Sequence, residues 1–232
     1  FNVGAGTADE IWQVENGLSA TVRNGYSGMA TYAQKQNVVY KSSPFVMRYN
    51  DAMPVFDPAF AEFADERAKE VVTPYADNPY VYGWMSDNEL HCEQKLLDAY
   101  LMADNSNPWF AYSYATAWTF LCTVTGKQNV DVSDVTDEHR NLFKAMIYNR
   151  YFRVVASAVK KYAPNHMFLG CRFLPGCYRS EHVHRVAGKW CDVISLNYYG
   201  AWTPESDLIQ NIQKWSGTPF IITEWYAKGM DA

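Results

Sequence analysis

Six short apolar runs, several ending in a polar or charged residue, constrain this chain more than any other feature. They are Phe1–Gly4, Pro44–Tyr49, Tyr80–Ser86, His166–Phe173, Asp192–Tyr199 and Pro219–Trp225. Several are apolar almost throughout, which is the pattern of parallel strands buried on both faces. The segments between them have helical periodicity. Asp57–Val72 puts Phe60, Phe63, Ala64, Ala68 and Val71 on one side, with Asp57 and Pro58 as a cap and first-turn pair. Asp137–Tyr162 carries Leu142, Phe143, Met146, Ile147, Tyr151, Val154, Val155, Val159 and Tyr162 at i, i+3, i+4 spacing. Lys160 and Lys161 suit its C-terminal dipole, and Pro164 stops it. Thr203–Trp215 reads as another helix. Further helices are expected around Cys92–Leu101 and Tyr112–Thr125, in a long insertion at about 90–135.

Alternating strands and helices leave two architectures, a doubly wound sheet or a (β/α)8 TIM barrel. The sequence has no GxGxxG after a strand and no GxxxxGK[ST], and Gly4-Ala5-Gly6 is too weak a signal to count. The expectation is therefore α/β, one barrel domain over 1–232.

Composition narrows the partners. The 232 residues carry 20 Lys and Arg against 25 Asp and Glu, a net charge of −5. That balance argues against nucleic acid or an anionic membrane, both of which select basic surfaces. With 48% hydrophobic and 19% charged residues the chain is not disordered. No apolar run is long enough for a transmembrane helix, and no signal-peptide pattern is visible at Phe1. Aromatic residues make up 16%, enough for a large core and for stacking platforms that suit flat ligands such as sugars. Five cysteines, at 92, 122, 171, 177 and 191, contain no CxxC pair. Cys171 and Cys177 could pair across a loop, but buried free thiols are the expected state.

Two strand ends carry the chemistry. Ser86-Asp87-Asn88-Glu89 follows the run from Tyr80, and Thr223-Glu224-Trp225 closes the run from Pro219. A charge that ends a buried strand is costly unless it has a partner or a job. Two facing carboxylates suit glycoside hydrolysis, one protonated to assist the leaving oxygen and the other ionised to attack or to activate water.

At these residues the chain resembles the clan of retaining (β/α)8 glycosidases with catalytic glutamates on strands four and seven. Asn88-Glu89 is similar to the clan's Asn and acid/base pair, and Glu224 in Ile-Ile-Thr-Glu-Trp to its nucleophile. Ile194-Ser-Leu-Asn197-Tyr198-Tyr199-Gly resembles the strand-six segment whose tyrosine hydrogen-bonds the nucleophile. Asn197 and Tyr199 share a strand face, so that role falls on Tyr199, with Tyr198 as the fallback. Val55-Phe-Asp-Pro-Ala-Phe, Pro74–Leu90 and Phe1-Asn2-Val-Gly are most similar to β-agarases and porphyranases, the last to their strand two. The resemblance thus implies that strand seven ends at Trp225, that strands one and eight are lacking, and that the chain is an internal portion of a longer enzyme.

The resemblance implies a retaining endo-glycosidase without cofactor or metal, acting on a β-linked polysaccharide such as a red-algal galactan. Its catalytic residues would be Glu89 and Glu224. Asn88, Asn197 and Tyr199 would contact substrate. From the residues themselves, His91 either touches substrate or is a loop histidine without a role, Arg172 either binds a substrate hydroxyl or anionic group or pairs with a loop acid, and Trp202 and Trp225 are candidate substrate-stacking surfaces. Such a substrate implies secretion or a periplasmic location. Trp84 is expected to pack inside the barrel. His182 and His184 read as surface histidines rather than metal ligands. Two other classes fit parts of the pattern: a non-catalytic carbohydrate-binding barrel, and a metal-dependent hydrolase using Asp87, Glu89 and His91.

Overall fold

A computed structural model describes residues 4–5, 10–17, 19–23, 55–90, 92, 94–106 and 108–226. Six strands are present among them: β1 (Gly4–Ala5), β2 (Ala20–Arg23), β3 (Val81–Asn88), β4 (Met167–Arg172), β5 (Ile194–Tyr199) and β6 (Phe220–Tyr226). All pairings are parallel and follow chain order, β1 to β2 to β3 to β4, then β5 to β6. A parallel bridge between Phe173 and Leu196 joins the two groups, through Phe173 amide to Ser195 carbonyl and Asn197 amide to Phe173 carbonyl bonds of 2.9 Å each.

The expected strands at β3 to β6 are present within two residues at each end. β3 runs on to Asn88, so Glu89 is the first residue beyond it. The run Pro44–Tyr49 lies outside the described residues. The strand that pairs with β3 on this side is instead β2, at Ala20–Arg23. It is only four residues long with one large aliphatic side chain, Val22, so its apolar signal is weak.

Eight α-helices occur among the described residues: α1 (Glu10–Glu15), α2 (Ala59–Val72), α3 (Leu96–Leu101), α4 (Pro108–Thr125), α5 (Asp137–Tyr162), α6 (Pro175–Tyr178), α7 (Glu181–Ala187) and α8 (Ser206–Ser216). In α2 the Asp57 carboxylate accepts the Ala59 amide at 2.9 Å, as a capping side chain should. The residue at its end that is fully buried is Val72 rather than Val71. α5 has the expected limits. Thr136 caps it by accepting the His139 amide at 3.2 Å, and the His139 ring accepts the Thr136 amide in return. Leu142, expected on its core side, is exposed. α8 starts three residues later than Thr203. α3 and α4 fill the long interval after β3.

The core is aromatic. Trp84, Tyr148, Tyr151, Phe152, Phe168 and Phe173 are fully buried, and Phe152 makes edge-on contacts with Phe168 and Phe173. Such pairs add about 0.5 to 1.5 kcal/mol each beyond burial. Trp84 is fully buried, but on the helix-facing side of the sheet rather than inside a barrel: it stands in register with Phe168, which packs on Phe152 of α5, and its indole N–H donates to His166 Nδ1 at 3.0 Å.

Two sequence expectations change here. Cys177 forms a disulfide with Cys92, 85 residues earlier, while Cys171 is a buried free thiol. Spacing favoured a near pair or none, but β3 and β4 are neighbours, so the loops that leave them meet. His184 is not a surface residue: it is fully buried on α7, beside Phe173 and Trp215, with Nε2 2.9 Å from the Tyr178 carbonyl. Burial lowers its pKa to about 4 from 6.5. The unfolded chain therefore binds the proton more readily, so stability is full above pH 6.5 and falls as pH drops towards 4. This group alone should cost about 2 kcal/mol of stability between pH 7 and pH 5. His184→Gln should flatten the pH dependence of Tm over that range, measured by thermal melts; an unchanged slope would remove His184 as its source.

Candidate active site

Parallel pairing brings the C-terminal ends of β3 to β6 to one rim. Asn88 is in register with Arg172, and Asn197 with Glu224. Glu89 leaves β3 at φ +53°, in the left-handed region, where its amide donates to the Arg172 carbonyl at 3.0 Å. A glutamate held there costs about 1 to 3 kcal/mol, a strain that persists only where surrounding contacts over-determine it.

Side chains of β5 supply those contacts. Asn197 Nδ2 donates to Glu89 Oε1 at 2.7 Å, and the Tyr199 hydroxyl lies 3.2 Å from the same oxygen. Tyr199 also donates to Glu224 Oε2 in a very short hydrogen bond. Glu224 Oε1 forms an ion pair with Arg172 Nη1 at 2.5 Å. The guanidinium is almost wholly buried at 3% exposure, while the carboxylate is 37% exposed. Both carboxylates touch one hydroxyl, which bounds the separation of Glu89 Oε1 and Glu224 Oε2 at about 6 Å for ordinary hydrogen-bond lengths.

The Tyr199 hydroxyl is pushed well above its ordinary pKa, first by burial and then by its bond to Glu224 and the two negative charges. It therefore stays a neutral donor across the physiological range. Thr223, beside the nucleophile candidate, places its hydroxyl 3.0 Å from Asn197 Oδ1 and 3.0 Å from the Leu196 carbonyl. That contact turns the Asn197 amide so that its nitrogen faces Glu89.

The expected site residues divide accordingly. Glu89, Glu224, Arg172, Asn197 and Tyr199 meet in one network. Asn197 is completely buried and its amide is engaged at both ends, so it faces Glu89 rather than open solvent. Tyr198, the fallback, is buried against Tyr178 and accepts the Glu205 amide at 3.3 Å. Trp202 and Trp225 meet edge to face at 5.7 Å, 75% and 46% exposed, and the Trp225 indole N–H donates to the Ala201 carbonyl at 2.8 Å. Asn88 is half-buried at the end of β3, with its side-chain oxygen unpartnered. Asp87 points into the core and accepts a short hydrogen bond from Tyr151. His91 lies outside the described residues. No three His, Cys, Asp or Glu side chains among the described residues stand close enough to share a metal ion.

Sequence reasoning gave no role to Thr223, although it stands in the same strand-end motif. The signal was its position at the register shift between Ile222, paired with Leu196, and Glu224, paired with Asn197, visible only once β5 and β6 are aligned.

Neither a family model nor a curated protein sequence matches the chain. Solved structures do. BpGH50 aligns at 30% identity over 92% of this chain, with a TM-score of 0.79. An exo-β-agarase aligns at 22% identity over the whole chain, TM-score 0.70, and the agarase AgWH50C at 22% over 97%, TM-score 0.67. The chain spans 46% of BpGH50 and 33% to 34% of the two agarases.

Proposed function

We propose that this chain carries the catalytic centre of a retaining β-glycosidase acting on a β-linked galactan of the agarose class, built on a (β/α)8 barrel. The observation that carries the reading is the pair of glutamates at the ends of β3 and β6, bridged by the hydroxyl of Tyr199. The similarity to BpGH50 and to two agarases supports the substrate class, and six parallel strands in chain order support the barrel.

Glu224 is the nucleophile. Arg172 and Tyr199 hold one oxygen each, which fixes its direction. Glu89 is the acid. A phenol has one proton, and Tyr199 gives it to Glu224. The 3.2 Å contact with Glu89 then ties the second carboxyl to the same hydroxyl. In the first step Glu224 bonds to the anomeric carbon as the glycosidic bond breaks, and the leaving oxygen takes the Glu89 proton. In the second, Glu89 takes a proton from water as the water oxygen displaces Glu224.

Inverting enzymes separate their carboxyls by about 6.5 to 9.5 Å to admit a water, whereas retaining enzymes need about 5 to 5.5 Å. Sharing one hydroxyl keeps this pair on the short side. Trp202 and Trp225 offer apolar faces for the sugars that flank the cleaved bond. A polymer substrate and the Cys92–Cys177 disulfide both favour an oxidising, extracytoplasmic setting. No helix among the described residues is long and apolar enough to cross a membrane.

The test is an NMR time course of agarose hydrolysis. The first product should keep the β configuration, relaxing later to the anomeric mixture; an α anomer appearing first would overturn retention. The same digest reads the mode of attack. Internal cleavage, the endo mode expected from sequence, gives a ladder of products, whereas exo cleavage gives one small product from the start.

A further inference from the structure

We propose that the Cys92–Cys177 disulfide and the Tyr148 hydroxyl form a clamp that positions Glu89 for proton transfer. The proposal rests on the assignment of Glu89 as acid and base. Glu89 is the only non-glycine residue at positive φ among the described residues. Its side-chain contacts, Asn197 and Tyr199, fix where the carboxyl points once the backbone is in place, but they do not hold the backbone itself. The backbone is held from the other side. Leu90 is buried, and its carbonyl accepts the Tyr148 hydroxyl of α5 at 3.2 Å. Two residues further on, Cys92 is tied to Cys177 of α6. Cys177 Sγ in turn lies 3.0 Å from the Tyr148 hydroxyl and 3.9 Å from the Leu90 carbonyl, so hydroxyl, disulfide and peptide form one buried cluster.

The far end of the clamp is rigid. Tyr148 is fully buried between Phe152 and Phe173. Cys177 follows β4, whose last residue, Arg172, both accepts the Glu89 amide and pairs with Glu224. Gly176 completes the fit, since a Cβ there would stand 3.1 Å from the Cys92 carbonyl oxygen. The clamp therefore references Glu89 to the same strand that holds Glu224, so the two carboxyls keep their spacing. A disulfide that only stabilised the fold could have joined any two neighbouring loops; this one closes three residues beyond the strained glutamate.

The experiment measures kcat/KM of the full protein on two substrates, an agarose oligosaccharide with a poor leaving group and a nitrophenyl β-galactoside with a good one. Three variants are compared: Cys92→Ser with Cys177→Ser, Tyr148→Phe alone, and Glu89→Gln as reference. All are assayed well below their own Tm. A displaced acid hurts only the leaving group that needs a proton. The clamp variants should lose about tenfold or more on the oligosaccharide and less than about twofold on the aryl glycoside, with KM little changed. Equal losses on both substrates, or no loss on either, would overturn the clamp. Should the serine pair fail to fold, Tyr148→Phe, which removes one hydroxyl and keeps the ring, decides alone. If Glu89→Gln itself shows no dependence on the leaving group, the acid assignment fails; if it does and the clamp variants do not, only the clamp fails.

Discussion

Glu224→Gln is expected to lower kcat by about a thousandfold or more, about 4 kcal/mol in the barrier. The amide keeps the shape of the side chain but cannot form the glycosyl ester. It also leaves Arg172, a guanidinium at 3% exposure, without its carboxylate, so the ground state reorganises as well. Glu224→Ala separates these effects. Azide should enter the vacated space and restore turnover of an activated aryl β-galactoside, giving the α-glycosyl azide, because the anion attacks from the side Glu224 occupied. Near-normal turnover in Glu224→Gln would remove the nucleophile assignment, and a β-azide from Glu224→Ala would transfer it to another residue.

Glu89→Gln should cost about 10² to 10⁴ in kcat/KM on oligosaccharides, the usual worth of a positioned acid. On an aryl glycoside whose phenolate leaves unaided, the glycosylation step should be nearly unchanged. The second step still needs a base, so the glycosyl-enzyme should accumulate and appear as a burst of phenolate followed by slow turnover. Azide should relieve that slow step and give the β-azide, the opposite anomer from the Glu224→Ala product. Equal losses on both classes of substrate, with no burst, would show that Glu89 is not the acid. The two variants thus assign the two roles independently, and each has its own stereochemical signature.

Much of the strand framework was legible because burial on both faces leaves a run with little polar interruption. β3, β4, β5 and β6 were read that way, and the abrupt polar ends of β3 and β6 marked Glu89 and Glu224. α5 was legible to the residue, since 26 residues of helical periodicity run to a stop at Pro164. The two-residue strand period put Asn197 and Tyr199 on one face before any coordinates. What escaped was short or mixed in character. β2 has four residues, α6 four and α7 seven, too few to show a period. His184 was read, with His182, as exposed because histidines in a polar stretch carry no sign of burial, and Leu142 as buried because periodicity does not say how wide the covered face is.

By itself the sequence determined the layered α/β plan, the strand ends that bear the two glutamates, and the face on which Tyr199 sits. These are local facts: a run, a period, the residue that follows a strand. Only the tertiary structure decided the partners. It gave Arg172 to Glu224 and Asn197 to Glu89, turned Asp87 to Tyr151, and joined Cys92 to Cys177 rather than leaving the thiols free. Each of these pairs joins different elements, the nearest separated by 52 positions and the farthest by 108. Their distances are set by which strands are neighbours and by the register between them. One-dimensional patterns constrain where a side chain points relative to its own backbone, whereas a hydrogen bond or an ion pair depends on the position of a second backbone that the pattern does not contain.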